Sequence, residues 1–126
     1  TGTGVLAILA EQCGANNVLA VDNDDWSLAN SAENLEKNRC RKTRLERAET
    51  VSGSRLYDVI LANINRNIIL ENLPAMAAAL RTAGQLLLSG LLEEDEASVV
   101  KAANQNGLHL LENLAHKGWI CLRFGH

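Results

Sequence analysis

Apolar residues along this chain either recur every three or four positions or fill short continuous runs, and the two kinds of segment alternate. Recurrence at helical spacing is typical of helices that bury one face, whereas a short apolar run bounded by Gly, Asn or Asp is typical of a buried strand. We predict helices at residues 5–13, 26–38, 66–81 and 93–107, and strands at residues 17–22, 45–51, 57–63, 85–90, 108–115 and 119–124.

Residues that start or stop helices mark several of these boundaries. Gly14 ends the first helix, and residues 23–25 offer N-caps for the second. Pro74 predicts an irregularity or a boundary in the third helix, because proline lacks a backbone N–H. The buried stripe predicted for the second helix comprises Trp26, Leu28, Ala29, Ala32 and Leu35.

The order of these elements predicts the fold class. Alternating helices and strands favour a Rossmann-like, doubly wound α/β fold, with a mostly parallel sheet and helices on both faces. The last two predicted strands are joined only by residues 116–118, and parallel strands need a much longer connection. We therefore predict a C-terminal β-hairpin, so that one C-terminal strand runs antiparallel to the rest of the sheet.

The composition narrows the class of protein. A length of 126 residues fits one domain, and a formal net charge of −3 argues against a basic surface for direct nucleic-acid binding. No apolar run approaches the roughly 20 residues of a membrane span, and the first residues lack the basic start of a signal peptide. We therefore expect a cytoplasmic protein without a membrane partner, and we expect it to be a monomer.

The cysteines and histidines show no pattern typical of metal ligands. Cys13, Cys40 and Cys121 are widely spaced without a C-x-x-C pair, and the three histidines are dispersed. We expect free thiols, with Cys13 and Cys121 packed as small hydrophobic side chains, and no metal site.

Two glycines open the chain in the sequence T-G-T-G and lead directly into the first predicted helix. Glycines in such a position let the backbone approach a ligand, and the following helix points its N–H groups at that ligand. Asp22 ends the next strand 18 residues after Gly4, near the spacing of about 20 for an acid that binds ribose hydroxyls. Gly2, Gly4, Ala7 and Asp22 therefore predict a nucleoside-cofactor site. The alternative is a tight turn, with Asp22 capping the next helix.

Asn63 separates two kinds of cofactor that this glycine loop alone does not distinguish. A nicotinamide dinucleotide and S-adenosyl-methionine both use a glycine loop and a ribose-binding acid, and Asn63 ends a strand at the same edge of the predicted sheet. Its amide oxygen and a neighbouring backbone carbonyl can hold an amine and aim the nitrogen lone pair at a sulfonium methyl group. This favours S-adenosyl-methionine. The alternative for Asn63 is a turn residue that follows a strand.

Several segments together resemble one known family. They are VLAILA, NVLAVDNDDWSLANSAEN, YDVILANI, GQLLLSGLLEEDEASVVKAANQNGLHLL and KGWICL. In this order they resemble the catalytic domain of the methyltransferase of ribosomal protein eleven of the large subunit. The resemblance implies a class I methyltransferase fold, S-adenosyl-methionine as cofactor, and methylation of lysine side chains and an N-terminus of that ribosomal protein.

The resemblance also implies roles for residues at matching positions. Asp22 would bind the ribose hydroxyls, and Asn63 would lie beside both the methionine part of the cofactor and the incoming amine, as the catalytic residue. The full set implied to bind the cofactor is Thr1, Gly2, Thr3, Gly4, Asp22, Asn23 and Asn63.

The chain departs from the family pattern in three places. The family has a strand, an acid and another glycine before T-G-T-G, and it has a separate N-terminal domain that recognises the substrate. Residues 39–56 carry no clear Asp or Gly for the segment that contacts the adenine. We therefore expect residues 1–126 to be one methyltransferase domain, truncated at its N-terminus, without its first strand and with two strand edges exposed by that loss.

Three other functions compete with this hypothesis. The G-x-G-x-x-A spacing alone favours a nicotinamide-dependent oxidoreductase, whereas the missing first strand favours a non-catalytic fragment. Methyltransferases of glutamine side chains or nucleic-acid amines usually follow a related Asn with Pro-Pro and an aromatic residue. Here Ile64, Asn65 and Arg66 follow Asn63, so the ribosomal-protein family is preferred.

Overall fold

Helices and strands alternate in the computed structural model, which describes residues 4–22, 24–48 and 57–126. Helices α1 to α4 are Val5–Gln12, Asp25–Lys37, Arg66–Ala79 and Glu96–Gln105, and a 3₁₀ turn, Glu93–Asp95, precedes α4. Strands β1 to β6 are Val18–Asp22, Thr43–Arg47, Tyr57–Asn63, Leu80–Leu92, His109–His116 and Trp119–Gly125. Contacts divide the chain into two compact units, Thr1–Val51 and Ser52–His126. The predicted α/β alternation is confirmed.

Several element boundaries differ from the prediction, most clearly those of the second strand and of the third helix. The weak strand predicted at 45–51 begins earlier, at Thr43, and ends at Arg47, and residues 49–51 lie outside the described part of the chain. The third helix passes through Pro74 without ending and stops at Ala79, where β4 begins at once with Leu80. Leu80 is buried and pairs with Tyr57, so sheet packing outweighs helix propensity at this position.

In the first unit, β1 and β2 pair in parallel from Val18 with Thr43 to Asp22 with Arg47. A small aliphatic core packs beneath them, with partly buried side chains around three buried ones. The buried members are Ala7, Ala20 and Leu35, and the partly buried ones are Ile8, Val18, Cys40 and Leu45. Among the described residues, the first unit therefore has a core of few buried apolar side chains.

The buried face of α2 differs from the predicted stripe. Ser31 and Leu35 are the buried residues of this helix, whereas Trp26 is 73% exposed. Ser31 faces inward because it lies against Gly4, a contact between distant residues that helical spacing alone does not reveal. Asp24 is the N-cap of α2 and accepts hydrogen bonds from the backbone N–H and the hydroxyl of Ser27, at 2.9 and 2.8 Å.

In the second unit, the strand order is β3-β4-β6-β5. Strands β3 and β4 are parallel, and β6 lies between β4 and β5 and runs antiparallel to both. The predicted C-terminal hairpin and its antiparallel strand are confirmed. Within the described residues, β1 pairs only with β2 and β3 pairs only with β4, so each unit contains a strand with one unpaired edge.

The core of the second unit lies on one face of its sheet. Buried side chains alternate along β4 and β6, and α3 and α4 contact each other and bury their own apolar residues. The largest fully buried side chains of this unit are Phe124, Ile69, Leu73, Leu86, Leu88, Leu91, Leu108, Leu122 and Val99. Each such side chain contributes roughly 1.5–3 kcal/mol through burial. Val59 and Leu61 alternate with buried Ile60 and remain exposed.

The cysteines are free thiols, and their burial differs from the prediction at one position. Cys13 is exposed because it is the C-cap of α1, so its predicted packing as a small hydrophobic residue is wrong. Cys121 is half-buried, and Cys40 packs against the core of the first unit, where burial raises the pKa of its thiol. None of the described helices combines the length and the hydrophobicity of a membrane span.

Glu11 connects the end of α1 to the segment that enters β2. Its carboxylate accepts hydrogen bonds from the backbone N–H groups of Arg41 and Lys42, at 2.7 and 2.9 Å, and from the Thr43 hydroxyl at 2.7 Å. The Thr43 hydroxyl, with help from the two N–H groups, holds the pKa of Glu11 below its usual value. The ionised carboxylate therefore stabilises the packing of α1 against β2.

We expect Glu11→Gln to lower stability at pH 7, because a neutral amide replaces a charged acceptor. Folding lowers the pKa of Glu11, so its contribution is fully present above the usual glutamate pKa of about 4.3 and is lost as the pH falls through the lower folded-state value. Urea denaturation at pH 7 and at successively lower pH should show the difference from the parent protein shrinking.

Glu33→Gln is the matched control, since Glu33 lies on the surface of α2 and forms an ion pair with the exposed Lys37 at 3.1 Å. It should change the urea midpoint little at any pH. A loss for Glu11→Gln that stays constant down to pH 3 would contradict the role of its charge.

Candidate functional site

Gly4 starts α1 in a backbone conformation that favours glycine. Its φ is +82°, and a Cβ added here would lie 3.3 Å from the Cβ of Ser31. Both the torsion and the close approach of α2 therefore favour a residue without a side chain. Gly4 also offers no side chain to cap the helix, so the N-terminal N–H groups of α1 remain suitable for an anionic or hydroxyl ligand.

Asp22 lies at the carboxyl end of β1 and is half-buried. Its Oδ1 accepts a hydrogen bond from the backbone N–H of Asp24 at 3.0 Å, and Asp24, not Asp22, caps α2. The alternative in which Asp22 serves as the helix cap is therefore not supported. A short turn, residues 13–17, reverses the chain between α1 and β1, so Gly4 and Asp22 lie towards the same end of the first unit.

Asn63 is the last residue of β3, and its side chain is exposed. It pairs across the parallel ladder with Ser89 of β4. In the part of the chain that the structure describes, its carboxamide makes no side-chain hydrogen bond. The amide oxygen and N–H₂ group are therefore available for a ligand at the carboxyl end of these strands.

A cavity of about 460 Å³ opens beside Asn63 in the second unit. Its volume lies within the roughly 300–1,000 Å³ of small-molecule sites. The lining residues come from the ends of β3 and β4 and from the C-terminal hairpin, and they are Asn63, Ser89, Gly90, Leu114, Ala115, His116, Trp119, Ile120 and Cys121. Among the described residues the wall is mainly apolar and contains no Lys, Arg, Asp or Glu, so it suits a neutral or alkyl group better than an ion.

Two side chains of this wall are exposed although they are large and apolar. Leu114 is 62% exposed and Trp119 is 56% exposed, on the two strands of the hairpin. Packing in the core therefore does not explain why these two positions hold large apolar side chains. Their exposure next to a polar carboxamide is typical of a binding surface.

Some of the site residues predicted from sequence lie in the first unit, one lies in the second unit, and the others lie outside the described residues. Gly4 and Asp22 belong to the first unit, and Asn63 belongs to the second. Thr1, Gly2, Thr3 and Asn23 lie outside the described residues. Sequence reasoning missed Ser89, Gly90, Leu114 and Trp119 as cavity residues. An isolated glycine within an apolar run is the one signal that marked Gly90, since it predicts a bulge or a close approach.

Comparison with known proteins identifies the relatives of this chain. A family model described as "Ribosomal protein L11 methyltransferase (PrmA)" matches residues 1–126. Curated proteins named ribosomal protein L11 methyltransferase are similar to it. One from Porphyromonas gingivalis is 42% identical over 98% of this chain and 43% of its own length, and one from Phocaeicola vulgatus is 36% identical over 98% of this chain and 44% of its own length. The chain therefore spans less than half the length of these relatives.

Solved structures show the same fold. A ribosomal protein L11 methylase from Lactobacillus delbrueckii subsp. bulgaricus is 30% identical, with a TM-score of 0.93, over 100% of this chain and 67% of that chain. A methyltransferase from Pyrococcus furiosus is 19% identical, with a TM-score of 0.81, over 96% of this chain and 69% of that chain. The predicted class I methyltransferase fold is confirmed.

We expect Gly4→Ala to destabilise the protein more than Gly14→Ala. Both positions have positive φ, +82° and +103°, and alanine in this region costs about 1–2 kcal/mol. Only the Cβ at position 4 also presses on Ser31, which should add roughly 1 kcal/mol, whereas nothing lies within 4 Å of a Cβ at position 14. Thermal or urea unfolding of the two variants measures this difference. Equal losses of stability in the two variants would contradict this expectation, because they would show that Ser31 moves aside at no cost in free energy.

Proposed function

The chain belongs to the ribosomal protein L11 methyltransferase family, and on this premise we propose that the protein transfers methyl groups from S-adenosyl-methionine to amino groups of that ribosomal protein. The observation that carries the proposal is the placement of Asn63. Its exposed carboxamide ends a parallel strand and opens onto an apolar cavity, as an amine acceptor requires. We further propose that residues 1–126 form one methyltransferase domain, acting as a cytoplasmic monomer on lysine side chains and an N-terminus.

The first unit offers the groups that a nucleoside cofactor needs. Gly4 places a left-handed turn without a side chain at the start of α1, and α1 supplies N–H donors beside it. The Asp22 carboxylate is an acceptor suited to ribose hydroxyls. The donors and acceptors present therefore fit such a cofactor. Thr1, Gly2, Thr3 and Asn23 are proposed as further contacts on the strength of the family resemblance.

The second unit offers the groups that hold the acceptor. The Asn63 oxygen would accept a hydrogen bond from the amine, which directs the nitrogen lone pair away from that contact. The aliphatic chain that carries the amine would lie along the apolar wall that includes Leu114 and Trp119. Holding the reacting atoms about 3 Å apart in this way can supply a large part of the rate enhancement.

The reaction requires a neutral amine. An apolar cavity disfavours the charged ammonium, so it lowers the pKa of an entering lysine and releases the proton to solvent. S-adenosyl-methionine, when bound, supplies the methyl group, and a C–N bond forms while the C–S bond breaks and its electron pair stays on sulfur. Asn63 holds the nitrogen during this transfer and forms no covalent bond itself.

The competing functions have less support. The relatives from Porphyromonas gingivalis, Phocaeicola vulgatus and Lactobacillus delbrueckii are named as methyltransferases or methylases, and only the glycine spacing favours a nicotinamide-dependent oxidoreductase. A chain that folds without turning over substrate remains the other candidate, and it is separated from an enzyme only by measuring transfer. That measurement uses the complete gene product and the purified ribosomal protein.

We expect Asn63→Ala to lower kcat for transfer of labelled methyl groups by roughly 10²–10³-fold, the loss typical of removing one oriented polar group from an active site. Asn65→Ala is the matched control. Asn65 caps α3 by accepting the Ile68 N–H at 3.0 Å, so its loss costs about 1 kcal/mol of stability. It should change kcat by less than about two-fold. Similar losses for the two variants would refute the role of Asn63.

We expect S-adenosyl-homocysteine to bind in calorimetric titration, and NAD not to bind. Asp22→Ala should weaken binding of S-adenosyl-homocysteine by roughly 10–100-fold, because hydrogen bonds to a charged acceptor are worth about 1.5–3 kcal/mol. Asp25→Ala removes a carboxylate paired with Arg47 on the surface and should leave the affinity unchanged. Binding of NAD alone would favour the oxidoreductase and overturn the proposed function.

A further inference from the structure

Strand β4 contains a bulge beside Asn63. Leu88 pairs with Leu122 of β6, but the next pair is Leu91 with Ile120, so Ser89 and Gly90 together oppose the single residue Cys121. Gly90 adopts a φ of +77°, in the left-handed region. A bulge with a left-handed glycine bends the strand and redirects neighbouring side chains, and such bulges are common next to active sites.

Gly90 also leaves room for the carboxamide of Asn63. A Cβ added at Gly90 would lie 2.5 Å from Asn63 Oδ1 and 3.4 Å from the backbone oxygen of Ile64. Real Cβ atoms do not approach an oxygen at 2.5 Å, so any side chain at position 90 would displace the carboxamide. The space that Asn63 occupies therefore exists because residue 90 has no side chain.

We propose that Gly90 is a positioning residue, which acts through Asn63 by allowing its carboxamide to point into the cavity of the second unit. This inference rests on the proposed function, because it assigns to Gly90 the placement of the group that holds the acceptor amine. Gly90 and Asn63 both line that cavity, and they belong to strands paired in register, Asn63 with Ser89. The bulge in β4 thus sets the position of the Asn63 carboxamide.

The atom that a new Cβ at position 90 would meet decides whether substitution of Gly90 affects folding or methyl transfer. The nearest atom, Oδ1, is the far end of a side chain that can rotate, so the carboxamide would turn away without disrupting the sheet. A displacement of about 1 Å at a reacting group can reduce the rate roughly 100-fold. Substitution of Gly90 should therefore affect transfer much more than folding.

The matched control is Gly107. Its φ of +79° is nearly that of Gly90, but nothing lies within 4 Å of a Cβ added there. Gly90→Ala and Gly107→Ala therefore introduce the same backbone strain, and only the former touches Asn63. In the complete gene product, Gly90→Ala should lower kcat by roughly 10–100-fold, and Gly107→Ala should change it by less than about two-fold.

A double-mutant cycle separates positioning from a general structural effect. Once Asn63→Ala has removed the carboxamide, adding Gly90→Ala should lower kcat by less than about two-fold further, since the new Cβ has nothing to displace. An equal loss from Gly90→Ala in both backgrounds would overturn the proposal.

A measurement that does not depend on activity distinguishes the test of the Gly90 positioning role from the test of the proposed function. The side-chain NH₂ signals of Asn63, assigned in ¹⁵N-labelled protein by their loss in Asn63→Ala, should shift in Gly90→Ala and stay in place in Gly107→Ala. Unmoved signals in Gly90→Ala would overturn the positioning role even if transfer is observed. Absence of transfer by the parent protein would overturn the proposed function, and the signals would still report whether Gly90 sets the carboxamide.

Discussion

The parallel register of β3 and β4 is the constraint on which the second unit depends. Ile60 is paired with Leu86, and both are buried on the face covered by α3 and α4. A slip by one residue would turn these side chains to the opposite face, so apolar burial fixes the register. The same register brings Asn63 level with Ser89 at the carboxyl ends of the strands. The position of the polar residue is thus determined by the apolar residues that precede it.

The bulge lets β4 satisfy two requirements at once. Leu88 and Leu91 are both fully buried, although an odd spacing in a regular strand would place them on opposite faces. The extra residue at Ser89–Gly90 restores the inward direction of Leu91 and opens the sheet next to Asn63. Core packing and the cavity therefore depend on the same local distortion, which explains why a glycine interrupts an otherwise apolar run.

In the first unit, α1 is held near both of its ends. Gly4 packs against Ser31 of α2, and Glu11 accepts hydrogen bonds from the segment that enters β2. Between these contacts the helix packs Ala7 over Ala20 of β1, the strand that ends at Asp22. A small core thus gains rigidity from one close backbone contact and one charged acceptor. In the proposed function this framework carries the cofactor side of the site.

The sequence alone determined the order of the elements and the C-terminal hairpin, and it led to three of the residues proposed for the site. Alternating apolar runs and helical stripes predict strands and helices because burial requires those periods, and a three-residue connection permits only antiparallel strands. Gly4, Asp22 and Asn63 could be predicted for the site because each lies next to the start or the end of a helix or strand that the sequence pattern reveals.

Only the tertiary structure decided the contacts between distant residues. Helical spacing favoured Trp26 as a buried residue of α2, but contact with Gly4 turned Ser31 inward instead. The strand predicted to end at Gly90 continues to Leu92, because pairing with β6 resumes after the bulge. The closeness of Gly90 to the Asn63 oxygen depends on the register of β3 and β4. Periodicity specifies which way one segment faces, but it carries no information about which partner that face meets.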